Sequence, residues 1–464
     1  MFLVVRIMQE KGVGCMLVRD TEGHPIGIYS ERDLLVDIAK HLYADDLPVH
    51  RLMRSPVVAV VTGAPEVDAM LLMIRHNIRH IVLTEGGVAV GMVSERDLFQ
   101  KYPGSLGELI VALNGAVAFE DIQQIAFQLR KLAREMVALD LSPLVIARLI
   151  SEFNDQLVRR ILDIEWKAHR LDQESGLSVC WLALGSEARR EQPLNTDQDN
   201  ALIFRLDFAQ SESDIRTRLL KFSQNVNNRL DRCGLELCSG GVMAGNSQWC
   251  HSLEGWKARI KAWSANVNPE SILAATIFFD FRGLWGNLEL EQSLRSWLVD
   301  HVRAQHQLLH AMGSSALGTP SPIGLFSRFR SGSGRLERGV IDLKSQGSRI
   351  FVDAARVESL MLGVGQVSTE ARLRQVGAVL NVPTEEVESM VAAFTLILRL
   401  RLRLQVQTLP EGHLSASSGK SLTKKFIVDL VRPDQLNKPE QESLREAFKQ
   451  SRLLQKRLAM SLGI

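Results

Sequence analysis

Two neighbouring stretches decide the reading of the chain. Residues 181–191 are Trp181-Leu182-Ala183-Leu184-Gly185-Ser186-Glu187-Ala188-Arg189-Arg190-Glu191, and residues 195–204 are Asn195-Thr196-Asp197-Gln198-Asp199-Asn200-Ala201-Leu202-Ile203-Phe204. The unbroken apolar run before Gly-Ser has the pattern of a buried strand, with a short helix expected after it. A glycine there lets phosphate oxygens approach the backbone, and the Ser186 hydroxyl can donate to them. On an extended chain, residues two apart share a face, so Asp197 and Asp199 aim together. Two adjoining carboxylates resist ionising together. A hard divalent cation relieves that repulsion, and Mg²⁺ is the one suited to nucleotide phosphates. Arg189 is placed to neutralise charge on a departing pyrophosphate.

Outward from this stretch, residues 179–184 and 201–206 read as strands, 214–233 as a helix and 235–238 as a short strand. Asn268-Pro269-Glu270 is a helix start, with an N-cap, Pro at the first position and an early acid. It predicts a helix over 271–284. Residues 313–339 read as a Gly-, Ser-, Pro- and Arg-rich loop. The rest is expected to be helical apart from a Ser-rich linker at 412–425. Upstream, residues 106–171 carry apolar residues at spacings of three and four, and Ser142-Pro143 opens a new helix within them.

The first quarter repeats itself. Gly27-Ile28-Tyr29-Ser30-Glu31-Arg32-Asp33-Leu34-Leu35 recurs as Gly91-Met92-Val93-Ser94-Glu95-Arg96-Asp97-Leu98-Phe99. Each copy reads helix, strand, turn, strand, helix, and a repeated unit of this size pairs with its copy to bury a shared face. The first copy starts inside its opening helix, so further residues are expected ahead of Met1. Ser-x-x-Asp at a helix start is a capping box. The same geometry can take a phosphate on free backbone N–H groups, with Ser30 or Ser94 as donor and Asp33 or Asp97 accepting from ribose hydroxyls.

Composition bounds the rest. The 464 residues carry 55 Lys and Arg against 53 Asp and Glu, a net charge of +2, which argues against a partner that coats a basic surface, such as nucleic acid. No apolar run reaches the ~18 to 20 residues of a membrane helix. Met1 to Val5 lacks the basic region, long apolar core and small-residue cleavage site expected of a signal peptide. The five cysteines are too few and scattered for a disulfide framework, so a cytoplasmic protein with reduced thiols and no membrane partner is expected.

Residues 1–104 resemble a tandem CBS pair, through Gly12-Val13-Gly14, both copies of the repeat, and Asn77-Ile78-Arg79-His80-Ile81. That resemblance implies an adenine-nucleotide ligand and a homodimer. Residues 185–204 are similar to the signature of the polymerase-beta-like nucleotidyltransferase superfamily, nearest the uridylyl- and adenylyltransferases of bacterial nitrogen control. Ala188 stands where those relatives usually have Gly. The resemblance implies Gly185 and Ser186 on the phosphates of a nucleoside triphosphate, and Asp197 and Asp199 on Mg²⁺ or Mn²⁺. It also implies a third carboxylate on a neighbouring strand. Glu236 is one candidate and Asp280 the other; Asp280 could equally be an acid paired with Arg282.

Further pieces extend the resemblance over nearly the whole chain: Gly240-Gly241-Val242-Met243-Ala244, Phe279-Asp280-Phe281-Arg282 with Gly286, Ile341-Asp342-Leu343-Lys344, Arg356, and Pro433-Asp434-Gln435-Leu436. They match bacterial CBS-pair signal-transduction proteins with a nucleotidyltransferase domain and a C-terminal substrate-binding domain. The expected organisation is multidomain α/β plus α. It comprises the CBS module at 1–104, a helical connector at 105–172, the transferase core at 173–285 and a C-terminal helical bundle at 286–464. The implied activity is nucleotide-regulated transfer of a nucleoside monophosphate to an acceptor, a protein being one candidate. The alternative is a nucleotide sensor that binds without turnover.

Three weaker signals are set aside. Ser418-Gly419-Lys420-Ser421 lacks the first glycine of a phosphate loop. Cys233, Cys238, Cys250 and His251 lack a Cys-x-x-Cys pair for zinc. His301, His306 and His310 do not share one helical face. Arg328, Arg330, Arg335 and Arg338 read as a solvated loop or an anion-binding lid, and Lys344 and Arg356 as possible cations for the same phosphates.

Overall fold

The repeat folds as its pattern requires. In the computed structural model, residues 2–39, 47–76, 78–99, 106–139, 141–194, 196–206, 211–324, 329, 339–408 and 429–464 are described, and they form two compact units, Met1–Val111 and Ala112–Ile464. The first copy is α1 (Phe2–Lys11), β1 (Cys15–Arg19), β2 (Pro25–Ser30) and α2 (Glu31–Ala39). The second is β3 (Ala59–Val61), α3 (Glu66–His76), β4 (His80–Glu85), β5 (Val88–Ser94) and α4 (Glu95–Phe99). In each copy the middle strands pair as an antiparallel hairpin, β1 with β2 and β4 with β5. β3, which the periodicity did not predict, lies parallel to β4. Met70 of α3 and Ile81 and Val82 of β4 are fully buried in the second copy, as is Tyr29 of β2 in the first.

The chain continues through α5 (Leu106–Gly115), α6 (Phe119–Ala138) and α7 (Pro143–Ala168), with Pro143 at the first turn of α7 as expected. Then come β6 (Leu177–Leu184), the short α8 (Gly185–Arg189), β7 (Asn200–Leu206), α9 (Glu212–Arg232), β8 (Cys250–Ser252), α10 (Leu253–Ala265), α11 (Pro269–Phe278) and β9 (Phe281–Gly286). The strands form one sheet in the order β8-β7-β6-β9, antiparallel except for β7 beside β8. β6 is apolar from Val179 to Leu184 because both of its faces are covered there. On one face Cys180, Leu182 and Leu184 join a core with Trp256 and Phe278, whose rings stack at 4.2 Å. On the other, Trp181 meets Phe222 of α9 edge-on.

The remainder is α12 (Leu288–Arg303), α13 (His306–Leu317), β10 (Ile341–Asp342), α14 (Arg349–Leu362), α15 (Thr369–Val379), α16 (Thr384–Thr408), β11 (Leu430–Val431) and α17 (Lys438–Leu462). The core of the sheet runs without a break into these helices, through Phe351, Phe394 and Phe448. The tandem module, mixed α/β core and C-terminal helical region are therefore as the sequence indicates.

Four local expectations are corrected. The helix begun at Asn268 has its predicted N-cap, which the structure completes as a capping box with Ser271, but it ends at Phe278, and β9 follows. Pairing with β6 imposes that strand: Trp285 lies opposite Trp181, and Gly286, at φ +86°, lies so close to β6 that a Cβ would sit 2.2 Å from the Val179 carbonyl oxygen. Residues 235–238 form no strand, only an isolated bridge from Glu236 to Asp197. The 313–339 segment begins as helix, since Gly313 sits in α13 against Leu462. β10 and β11 add a small antiparallel ribbon to a region expected to be helical. The Arg328, Arg330, Arg335 and Arg338 segment, the 412–425 linker with Ser418 to Ser421, and Asn77 lie outside the described residues. Among those described, no helix is long and apolar enough to cross a membrane.

Candidate functional site

Asp197 and Asp199 lie on the extended approach to β7, and their neighbours explain how they are aimed. Gln198 and Asn200 point the other way and are buried. Gln198 donates to the carbonyls of Asn227 and Leu235 at 2.9 and 2.8 Å. Asn227 in turn donates to Gln198 and Asn200 at 2.8 and 3.0 Å. A satisfied buried amide network of this kind fixes one arrangement. It anchors the alternate positions, so the two aspartates emerge together on the opposite face.

Asp197, Asp199 and Cys238 each offer a ligand atom within 4.8 Å of the other two. Burial, and next the Asp197 carboxylate, push the Asp199 carboxyl up to about 6; the Cys238 thiol, Lys344 and Arg189 act against that rise. The Cys238 thiol itself is pushed up to about 11, by burial and then by Asp199. This is the electrostatics of two carboxylates held close together. Three ligand atoms in this arrangement, two of them carboxylate oxygens, fit a divalent ion.

Gly185 closes the other side. Its φ is +55°, and a Cβ there would stand 3.1 Å from Asp199 Oδ2. Its N–H donates to the Asp280 carbonyl at 3.0 Å. The Ser186 hydroxyl has no partner among the described residues. Arg282 holds α8 from below, donating to the carbonyls of Glu187 and Ala188 and gripping Asp155 of α7 in two bonds of 2.9 and 2.8 Å. Glu187, which no motif singles out, is buried beside them. Burial and then Asp155 push its carboxyl up to about 8, and its Oε1 lacks a hydrogen bond.

The candidate third acids part company. Asp280 lies between α11 and β9, fully buried, and pairs with Arg189, Arg356 and Arg372 rather than with Arg282, each bond being 2.6 Å. Its oxygens are committed to those cations. Glu236 is exposed; its backbone bridges to Asp197, but its carboxylate is not among the clustered ligand atoms. Burial, then Asp231 and Asp197, raise its carboxyl above the ordinary value. Two residues expected to meet phosphate charge have acid partners within the fold. Arg189 is held by Asp280 and Glu191, and Arg356 is buried between Asp280 and Asp353. Lys344 is exposed and close enough to Asp199 to favour its charged form. The described cysteines and histidines assemble no zinc cluster among themselves.

In the first unit both Ser-x-x-Asp motifs are capping boxes. Ser30 N and Oγ donate to Asp33 Oδ2 at 3.0 and 2.5 Å, and Arg54 takes the second oxygen at 2.5 Å. Ser94 N and Oγ donate to Asp97 Oδ2 at 2.9 and 2.6 Å, with the pair exposed. Those bonds hold the Asp97 carboxyl below its ordinary value.

Residues 3–40 and 49–104 match the CBS domain family. Residues 127–270 match the family described as "Putative nucleotidyltransferase DUF294", and residues 306–462 its "Putative nucleotidyltransferase substrate binding domain". The chain is a CBS-domain pair fused to a nucleotidyltransferase-like domain of that description. An uncharacterized protein of Methanopyrus kandleri is 29% identical over 98 residues, 21% of this chain and 50% of its own length. An uncharacterized 17.7 kDa protein of Acidianus ambivalens is 33% identical over 92 residues, 20% of this chain and 55% of its own. The chain thus spans about half the length of these curated relatives. A CBS domain protein from Pyrobaculum aerophilum, solved with AMP, is 31% identical, with a TM-score of 0.20, over 21% of this chain and 74% of that one. A CBS-domain protein from Agrobacterium tumefaciens is 26% identical, with a TM-score of 0.20, over 21% and 78%.

Proposed function

We propose that the second unit transfers a nucleoside monophosphate from a nucleoside triphosphate to an acceptor hydroxyl. The observation that carries this reading is the meeting of the Asp197 and Asp199 oxygens, within 4.8 Å, under a glycine that has no side chain to block them. Asp197 and Asp199 would hold Mg²⁺ or Mn²⁺, which when bound offsets phosphate charge and polarises the α-phosphoryl group. Gly185 leaves room for the triphosphate beside the backbone, Ser186 donates its hydroxyl, and Lys344 supplies the exposed positive charge. The acceptor oxygen forms a bond to the α-phosphorus as the bond to the β-phosphoryl oxygen breaks, and pyrophosphate leaves. Incubation with each α-³²P-labelled triphosphate and a native cell extract tests this. Label on an acceptor is expected; absence of label with every triphosphate would overturn it.

A second reading has its own support: no described acid stands as a third carboxylate beside Asp197 and Asp199. On that reading the site senses a nucleotide without turnover. Tight Mg²⁺-dependent triphosphate binding with no label transfer would favour it.

For the first unit we propose an adenine-nucleotide ligand at the exposed Ser94–Asp97 box, Asp33 being tied to Arg54. Loss of a charge-assisted hydrogen bond to ribose should weaken AMP binding in Asp97→Ala by about tenfold, on the scale of ~1.5 kcal/mol. Calorimetry on the full chain checks it, and equal affinities would remove Asp97 from the site. Leu35, Val36 and Ile38 stand exposed along α2 and favour self-association as a homodimer. Occupancy of this unit would then regulate transfer, a coupling measured as a change in triphosphate affinity on adding AMP.

A further inference from the structure

We propose that Cys238 supplies a thiolate as the third protein ligand of the divalent ion held by Asp197 and Asp199, so that the site accepts a cation tolerant of sulfur, such as Mn²⁺ or Zn²⁺, in preference to Mg²⁺. This rests on the nucleotidyl-transfer reading and deepens it by naming the missing ligand and the class of metal.

Among the described residues no acid takes the place of a third ligand. Asp280 has both oxygens taken by three arginines, and the Glu236 carboxylate stands outside the cluster. The Cys238 sulfur lies within 4.8 Å of an oxygen on each aspartate. A thiol that coordinates a divalent ion is deprotonated by it. The turn carrying Cys238 is fixed from both ends. Gly241 N donates to the Cys238 carbonyl at 2.9 Å, and the Val242 carbonyl accepts from Asn200 N, next to Asp199, at 3.1 Å. The thiol therefore moves as one piece with the carboxylates. Cys15, Cys180, Cys233 and Cys250 are buried, so Cys238 is the accessible thiol. A set of two carboxylates and one thiolate is softer than the all-oxygen sets that Mg²⁺ requires.

The test uses the full reduced chain with Cd²⁺ and Mn²⁺ as probes. Cd²⁺ is expected to raise a sulfur-to-metal charge-transfer absorption that saturates at one ion per chain and disappears in Cys238→Ser. Mn²⁺ affinity by calorimetry should fall at least about tenfold in that variant, the scale on which even outer-shell partners act. In the wild type, with no substitution to disturb folding, Mn²⁺ should slow iodoacetamide alkylation of Cys238 by about tenfold or more, because a metal-bound thiolate is a poor nucleophile. A charge-transfer band that persists in Cys238→Ser overturns the thiolate ligand. So does Mn²⁺ binding equal in wild type and Cys238→Ser but lost in Asp197→Asn, which leaves the nucleotidyl-transfer reading standing. If the wild type shows no Asp197-dependent Mn²⁺ binding, with or without a triphosphate, that reading falls and the thiolate falls with it.

Discussion

Replacing Asp280 by alanine is expected to lower the unfolding free energy of the second unit by about 3–5 kcal/mol, the cost of breaking a buried ion pair from one side. The size follows from what would be left behind. Arg189, Arg356 and Arg372 converge on this one carboxylate, and all three are buried or nearly so. Burial alone would raise the Asp280 carboxyl, but Arg356, Arg372 and Arg189 more than reverse that and hold it far below the carboxylate range. The cluster is balanced by Glu191, which pairs with Arg189 and accepts from Thr369 N and Oγ1 at 2.6 and 3.0 Å, and by Asp353 on Arg356. Removing Asp280 leaves three cations facing two acids in a place water does not reach. All seven tryptophans lie in this unit, so urea titration followed by their fluorescence reports on it alone. Glu446→Ala, which breaks an exposed pair with Lys449, is the control and should change stability by less than about 1 kcal/mol. A loss in Asp280→Ala no larger than in that control would show that the arginines find other partners.

The same cluster marks where sequence reading stops. The features legible in advance were local ones: the repeat, the capping boxes at Ser30 and Ser94, the N-cap at Asn268, Pro143 at its helix start, and the apolar run of β6. Each is decided by residues a few positions apart. The partners of Asp280 lie 76 to 92 residues away, and nothing near Asp280 signals three arginines. Arg282, the neighbour that invites pairing, instead turns to Asp155, 127 residues upstream. β9 was hidden for the same reason. Residues 281–286 have no stop signal before them, and only the exposed edge of β6 makes them a strand. At the site, the Asp-x-Asp pair and Gly-Ser could be read because spacing alone places them. Cys238 could not, because its position depends on the Gln198, Asn200 and Asn227 network that folds residues 235–245 back onto the aspartates. Its signal in the sequence was only its nearness to Gly240-Gly241.

Asp197→Asn should lose at least about 10²-fold in transfer, the scale of removing one preorganised electrostatic group, while the metal-free protein becomes no less stable. The two effects come from one cause. Without a cation, Asp197 and Asp199 repel, and Asp199 is held up at about 6 by burial first and by Asp197 second. A carboxyl whose folded pKa exceeds its unfolded value weakens the fold when ionised: the penalty is absent below about pH 4 and complete above about pH 6. Asparagine removes the part of that penalty due to Asp197, a gain on the order of 1 kcal/mol. In EDTA the variant should therefore unfold at higher temperature than the wild type at pH 7.5, and the difference should close as the pH falls toward 4. Excess Mn²⁺ should reverse the order, because only the wild type binds the ion tightly enough to be stabilised by it. Loss of transfer together with a large loss of stability in EDTA would instead make Asp197 a structural residue. Activity and stability moving in opposite directions is the behaviour of a group kept for chemistry at a cost to the fold.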